Sequence, residues 1–209
     1  MARVAGAPPR PAERLEGFSD AVFAIAITLL ALDVRVVGFR PGHLGAAVGH
    51  LWPQLLAYAA TFLIVGQVWA SHHGMFRWID RADHVLLLLD VGMLGCIALQ
   101  PFPTSLVATA LSRGTARDVA LAVSLYSGLL FVGGVFYNGV WRYAARRGLL
   151  VDGLDPGRVR WQARRYGIGV LVYLVAAAVA FVSVPVAIGL DLALAVGYLI
   201  PSPNLRPRD

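Results

Sequence analysis

Apolar stretches near the length needed to cross a lipid bilayer constrain this chain more than any other feature. A helix of about 20 residues spans the hydrocarbon core of a bilayer. Six stretches bounded by charged residues, Gly or Pro approach that length: residues 15–37, 43–71, 84–111, 116–143, 159–184 and 186–200. No strand-like alternation persists along the sequence, and in lipid a helix satisfies its own backbone hydrogen bonds. We therefore predict an all-α, polytopic membrane protein with six transmembrane helices.

The composition argues against a soluble protein. Of 209 residues, 58% are hydrophobic and 14% are charged, and the mean hydropathy is +0.67. Too few polar side chains are present to coat a soluble domain. A net charge of +6 would suggest a nucleic-acid partner in a soluble protein, but here the charges lie between the apolar stretches. We expect a lipid bilayer, and no nucleic acid, as the partner.

The distribution of arginine predicts the orientation in the membrane. All 18 basic residues are arginine, and with six alternating spans 14 of them lie on one side. The positive-inside rule then places both termini in the cytoplasm of a multi-pass protein of the cell membrane. We expect residues 1–11 to form a disordered cytoplasmic tail, residues 12–203 the membrane domain, and residues 204–209 a short cytoplasmic tail.

The first span combines a carboxylate with an apolar stripe. At about 100° per residue, Asp20 points away from the helical face that carries Phe18, Val22, Ile25, Thr28, Leu29 and Leu32. Two interpretations stay open from the periodicity. Either the stripe is ordinary helix packing with Asp20 at a solvated helix start, or the stripe is functional and the carboxylate is held inside the protein.

Two adjacent histidines, His72 and His73, follow Trp69 at the end of the second span, level with Asp20 in this topology. An imidazole there can hydrogen-bond to the carboxylate and tie the two helices together. Neighbouring helical residues diverge by about 100°, so one metal ion would not readily bind both. The single cysteine, Cys96, forms no CxxC-type motif. We predict that an imidazole of this pair hydrogen-bonds to Asp20, and we expect no bound metal and no cofactor.

Four further polar residues lie inside the predicted spans. We expect Asp90 either to join the network at the end of the second span or to face a subunit interface. Gln67 and Asn138 are candidates for hydrogen bonds between helices. Asp191 is a candidate for a solvated position near the outer end of the last span.

Several motifs together resemble a known family. The first span carries Arg-x-x-x-Phe-Ser-Asp at residues 14–20, followed by Ala-Ile-x-Ile-Thr-Leu-Leu. The likeness continues through Thr-Phe-Leu-Ile-Val at 61–65, Trp-x-x-His-x-x-x-Phe at 69–76 and Pro-Phe-Pro-Thr at 101–104. Over at least half its length, the chain resembles the transmembrane protein 175 family of potassium channels. That family lacks the Thr-Val-Gly-Tyr-Gly filter of other potassium channels, and this sequence lacks it too.

The resemblance implies a potassium-selective cation channel made of four copies of the chain, with the first helix of each lining the pore. By position after the motif aspartate, Ile25 corresponds to the family's hydrophobic constriction, with Leu29 and Leu32 further outward. Thr28 corresponds to a layer of hydroxyl groups that contributes to ion selection. Asp33 is either a cation-attracting residue at the outer mouth or a solvated helix end.

The resemblance also implies a network that fixes the pore helix against the rest of the protein. It would be formed by Arg14, Phe18, Ser19, Asp20 and His72. These residues are expected to support the pore and not to contact the ion.

Other functions stay open. An ion-coupled secondary transporter would be built on an inverted repeat, and no convincing repeat is visible. An intramembrane enzyme would need converging groups, whereas Ser19 and Asp20 diverge on one helix, so we expect no catalytic activity. A helix bundle that acts only in assembly is a third alternative. The sequence also leaves open whether protons permeate together with potassium.

Overall fold

A computed structural model describes residues 11–36 and 40–200. The helices are α1 (Pro11–Leu30), α2 (Leu44–Gly49), α3 (Trp52–Phe76), α4 (His84–Leu99), α5 (Pro101–Arg113), α6 (Ala116–Arg147), α7 (Pro156–Val179) and α8 (Val184–Leu199). A 3₁₀ turn, Ala31–Asp33, continues α1. Within these described ranges the chain forms no strand, and one isolated antiparallel bridge joins Ile79 to Leu150. The predicted tails lie outside the described residues, apart from Pro11, where α1 begins.

Within the described ranges, four helical segments are long and apolar enough to cross a membrane: Ala12–Asp33, Trp52–Phe76, His84–Arg113 and Ala116–Arg147. The all-helical membrane architecture predicted from the sequence is therefore found. The remaining two predicted spans correspond to α7, whose first half carries four arginines, and to the shorter apolar helix α8. Their assignment as spans stays a prediction.

Prolines divide the predicted apolar stretches. Pro101 separates α4 from α5, because its ring removes a backbone donor and clashes with the preceding turn. The second predicted stretch divides into α2 and α3, and Pro53 lies in the first turn of α3. The break between the last two stretches lies at residues 180–183, just before Pro185 in the first turn of α8.

Helix α6 is the longest helix of the bundle and packs closely against α4 and α7. A Cβ atom added at Gly133 would lie 3.2 Å from Cβ of Cys96, and one added at Gly92 would lie 2.7 Å from the Phe136 ring. Small residues therefore allow α4 and α6 to approach, as in other membrane bundles. Trp141 is fully buried, and its ring N–H donates to the carbonyl of Val159 in α7 at 3.2 Å.

Two connections meet at one end of the bundle, which we call the arginine-rich end. The backbone N–H groups of Asp80 and Arg81 donate to the carbonyl of Leu149 at 2.9 and 3.2 Å. The N–H of Val151 donates in return to the carbonyl of Trp78 at 3.0 Å. The α3–α4 and α6–α7 connections therefore lie on the same side of the bundle.

Asp83 joins α4 to α6 at this end. One carboxylate oxygen accepts the N–H of Leu86 at 2.9 Å and caps α4, and the other accepts the hydroxyl of Tyr143 at 2.8 Å. The pKa of Asp83 is lowered from its ordinary value of 3.8, first by the Leu86 N–H and then by the Tyr143 hydroxyl. Both hydrogen bonds favour the ionised form.

Asp83 should therefore contribute to stability in a pH-dependent way. A carboxylate with a lowered pKa stabilises the folded state above about pH 4 and loses this effect as the pH falls through the lowered value. We expect Asp83→Asn to lower the unfolding temperature of the detergent-purified protein at neutral pH. The difference in unfolding temperature between Asp83→Asn and the original protein should shrink at acid pH. Tyr143→Phe, which removes only one of the two hydrogen bonds, should lower the unfolding temperature at neutral pH by less. A difference that does not change with pH would contradict the assignment.

Candidate pore face and the polar network behind it

Helix α1 has two distinct faces. Ser19, Phe23, Ala26 and Leu30 recur at helical spacing and are at most 2% exposed. The other face carries most of the predicted stripe. Its large apolar side chains have exposed fractions of 54% at Phe18, 59% at Ile25, 42% at Leu29 and 68% at Leu32. Val22 lies at the boundary and is half-buried. One helix thus joins a packed inner face to an open apolar face.

The open face of α1 includes one hydroxyl group. Thr28 is exposed, and its hydroxyl donates to the carbonyl of Ile25 at 2.8 Å. Because the only hydroxyl hydrogen is engaged by the backbone, the lone pairs of the oxygen are left for another group. Asp33 ends the 3₁₀ turn after α1 and is half-buried.

A buried network ties the inner face of α1 to α3 and α4. The Ser19 hydroxyl donates to Oδ2 of Asp90 at 2.8 Å and lies 2.9 Å from the carbonyl of Leu15. Nε2 of His72 lies 2.8 Å from Oδ1 of Asp90. Because a carboxylate only accepts, Nε2 carries the hydrogen of this bond. Ser19, His72 and Asp90 are all fully buried, so three helices share one satisfied carboxylate.

The predicted hydrogen bond between Asp20 and one of the two histidines is wrong. His72 pairs with Asp90, while Asp20 accepts the ring N–H of Trp69 at 2.8 Å. The reason is that Ser19 faces the core, whereas Asp20, one residue further, lies at the flank of α1. The Trp-x-x-His spacing places Trp69 and His72 one turn apart, and this signal identifies Trp69 as a second contact to α1.

The motif residues are therefore only partly brought together. Ser19 and His72 meet at Asp90, which joins the network and does not face outward. Arg14 and Phe18 are exposed on α1, and Phe18 lies on the open face. The proposed supporting role of these two residues stays a prediction.

Aromatic rings hold the His72 imidazole in place. Phe76 stacks on it with ring centroids 4.4 Å apart, and Phe23 of α1 lies at 5.6 Å. His73 points elsewhere, with its Nδ1 2.9 Å from a carboxylate oxygen of Glu16 in α1. The two histidines therefore diverge as expected. Within residues 11–36 and 40–200, no three His, Cys, Asp or Glu side chains are grouped to hold a metal ion.

The other intramembrane polar residues behave differently from the predictions. Gln67 donates to Ser71, and Asn138 accepts from Arg142, so both bond within their own helices at four-residue spacing. Asp191 is 2% exposed, not solvated. Helix packing decides these contacts, and sequence periodicity alone does not specify the neighbouring helix.

Replacing Asp90 should separate the hydrogen bonds of the network from its charge. Asp90→Ala leaves the buried His72 N–H without a partner, at a cost of about 1–3 kcal/mol in the free energy of unfolding. In Asp90→Asn the carbonyl can accept from His72 and the amide can donate to Ser19, whose hydroxyl then donates to Leu15. We expect chemical unfolding in detergent to rank the loss of stability as Ala well above Asn. Equal losses would contradict a network held by hydrogen bonds.

Comparisons with known proteins agree on one family. A family model described as the endosomal/lysosomal potassium channel TMEM175 matches residues 14–101, a segment that contains Ser19, His72 and Asp90. A potassium channel of Streptomyces collinus is 37% identical over 187 residues, which cover 88% of this chain and 90% of that protein. The endosomal/lysosomal proton channel TMEM175 of Bos taurus is 32% identical over 145 residues, which cover 65% of this chain and 30% of that protein.

The fold agrees with the sequence comparison. The crystal structure of a lysosomal potassium-selective channel TMEM175 homolog from Chamaesiphon minutus matches with a TM-score of 0.79 and 30% sequence identity. The match covers 92% of this chain and 98% of that one. Likeness in sequence and in helix arrangement therefore extends over nearly the whole length, and the chain belongs to the TMEM175 family.

Proposed function

We propose that the chain forms a potassium-selective cation channel in the cell membrane. Four copies surround a central pore, and the open face of α1 from each copy lines it. The observation that carries this proposal is the two-faced α1, which exposes Ile25, Leu29 and Leu32 while its other face is fixed by a buried network. The potassium channel of Streptomyces collinus, which this chain matches over most of its length, supports the same function.

The open face has the chemistry of a gate beside an ion-binding layer. Four Ile25 side chains around an axis form a narrow apolar ring, and such a ring resists hydration. Thr28 lies nearly one turn further along α1, and its hydroxyl donates to the Ile25 carbonyl. The hydroxyl oxygen is therefore oriented as an acceptor, which suits partial replacement of the water around a cation. Leu29 and Leu32 extend the apolar wall outward, and Asp33 attracts cations to the mouth.

The network behind α1 keeps this wall rigid. The Ser19 and His72 contacts to Asp90 fix the core face of α1 to two neighbouring helices. Asp20 and Trp69 add a second contact at the flank. Helices held in this way keep the radius of the pore fixed. A fixed radius favours ion selection by close contacts with oxygen atoms.

The proposed topology has six spans, with both termini in the cytoplasm. Contacts between the α3–α4 and α6–α7 connections support alternating spans. At the arginine-rich end, Arg165 of α7 donates hydrogen bonds to the carbonyls of Gly197 and Ile200 at the end of α8. Arginine at this end favours the cytoplasmic side.

Protons are proposed as a second permeant ion. The bovine relative is named as a proton channel, although this chain matches only 30% of its length. A hydrated path through the Ile25 ring would carry protons as well as potassium.

Ile25 should limit the current. Ile25→Asn should raise the potassium current in a planar bilayer at least about tenfold, a change of about 1.4 kcal/mol in the barrier, because an amide ring holds water where isoleucine excludes it. Ile168→Asn on α7 is the matched control, since Ile25 and Ile168 are both 59% exposed. An equal response of the two variants, or no protein-dependent current from folded protein, would refute the pore assignment.

Thr28 should contribute to selectivity. With potassium on one side and sodium on the other, Thr28→Val should move the reversal potential toward zero, because the variant keeps a similar volume but loses the oxygen. Thr109→Val, at an exposed threonine of α5, should leave the reversal potential unchanged. A Thr28→Val channel with the original reversal potential would rule out the hydroxyl layer.

A further inference from the structure

A groove lies between α6 and α7 at the arginine-rich end, away from α1. Asn138 and Arg142 of α6 border Gly167 of α7 in this groove. A Cβ atom added at Gly167 would lie 3.4 Å from Nη2 of Arg142 and 3.5 Å from Nδ2 of Asn138. Because Gly167 has no side chain, the space above its Cα is left open between these two groups. We call this region the α6–α7 groove.

Two hydrogen-bond donors face the α6–α7 groove. Nε of Arg142 donates to Oδ1 of Asn138 at 3.0 Å. A guanidinium only donates, so the amide oxygen of Asn138 must face Nε, and the amide NH₂ group is the one beside Gly167. The NH₂ groups of both side chains therefore lie within reach of a single acceptor placed over Gly167.

The charge along these two helices is positive. Four exposed arginines lie on them: Arg142 and Arg146 of α6, and Arg160 and Arg164 of α7. Helix α7 contains no Asp or Glu, and α6 contains none after Asp118 at its far end. Asp155, which precedes α7, accepts the N–H of Gly157 and pairs with Arg158 at 3.4 Å. An anion suits this arrangement, because arginine binds phosphate oxygens through charge-assisted hydrogen bonds.

Exposed apolar side chains continue the groove away from the arginine-rich end. Ile168 and Leu171 of α7 follow Arg164 at helical spacing and are 59% and 61% exposed. Val135 of α6 lies two helical turns before Arg142 on the same face and is 46% exposed. The groove therefore combines a cationic end with an apolar length, which matches the headgroup and acyl chain of a phospholipid.

The cationic end of the groove lies at the depth of lipid headgroups. From Asp118 to Arg142, α6 rises about 36 Å at 1.5 Å per residue. The hydrocarbon core of a bilayer is about 30 Å thick, so Arg142 lies just outside it when Asp118 lies at the opposite surface. Trp161 of α7 is 46% exposed, and the guanidinium carbon of Arg165 lies 5.8 Å from the centre of its ring. An exposed tryptophan beside arginine is typical of the membrane–water interface.

We propose that the α6–α7 groove binds one anionic phospholipid from the cytoplasmic leaflet. Arg142 and Arg164 bind the headgroup phosphate, and the Asn138 amide donates to one of its oxygens. An acyl chain lies along Ile168 and Leu171. Basic pockets between transmembrane helices on the cytoplasmic side suit such lipids. The inference rests on the proposed topology only for the choice of leaflet.

Native mass spectrometry of the detergent-purified protein tests the proposal. Phosphatidylglycerol should bind with saturation and more tightly than phosphatidylcholine of the same chain length. Arg142→Gln should weaken phosphatidylglycerol binding about fivefold, which corresponds to about 1 kcal/mol for one arginine near an anionic surface. Arg164→Gln should have a similar effect. Arg77→Gln, at an exposed arginine directly after α3 at the same end of the bundle, should leave the affinity unchanged.

Equal losses in Arg142→Gln and Arg77→Gln would overturn the proposal, because they would indicate a general attraction to positive charge. Equal affinity for the two lipids would also overturn it. Glycerol 3-phosphate that binds as tightly as phosphatidylglycerol would identify a soluble anion as the ligand and refute the lipid. If Arg142→Gln does not fold, Arg164→Gln gives the same comparison with Arg77→Gln. The assay measures no current, so a failure of this site leaves the channel proposal intact, and a failed channel leaves the lipid site intact.

Discussion

The contact of Ser19 and His72 with the Asp90 carboxylate is the interaction on which the arrangement of α1 depends. It connects three helices through one group that has no exposed surface. In lipid, apolar helices gain little from the hydrophobic effect against one another, so directional hydrogen bonds and close packing decide which faces meet. The carboxylate therefore fixes the rotation of α1 about its own axis. That rotation determines that Ile25 and Thr28 lie on the open side.

The packed inner face of α1 explains why its open face can carry large exposed apolar side chains. Burial of Phe23, Ala26 and Leu30 provides α1 with a packed face, so Ile25 and Leu29 are not needed for the stability of a single chain. They are free to meet copies of themselves around an axis. A helix with one face committed to its own subunit and one face reserved for the assembly is suited to line a pore shared by several chains.

Two buried carboxylates organise different halves of the bundle. Asp90 lies near the arginine-rich end and has both oxygens satisfied by side chains of α1 and α3. Asp191 lies on α8 beside the other core cluster, and one of its oxygens accepts no hydrogen bond from the described residues. The first has the character of a structural anchor, because its hydrogen bonds are complete. The second is held, among the described residues, by a hydrogen bond from Ser127.

The sequence by itself determined the membrane class, the helical secondary structure and the stripe on α1. Hydropathy and a period of about 3.6 residues are local properties, so Phe18, Ile25 and Thr28 could be assigned to one face without knowing any neighbour. The prolines at 101 and 185 likewise act locally on the backbone. The family resemblance added the expected roles of these residues, since no pattern in the sequence counts subunits or identifies an ion.

Only the tertiary structure decided which polar groups meet. The sequence placed His72 level with Asp20, but a difference of one residue rotates a side chain by about 100°, so Ser19 faces His72 and Asp90 while Asp20 faces Trp69. The sequence predicts a solvated Asp191 because it gives the position of this residue along the helix and not its neighbours. Burial depends on the packing of α8 against α3 and α6, and that packing joins residues distant in sequence, such as Asp191 and Ser127.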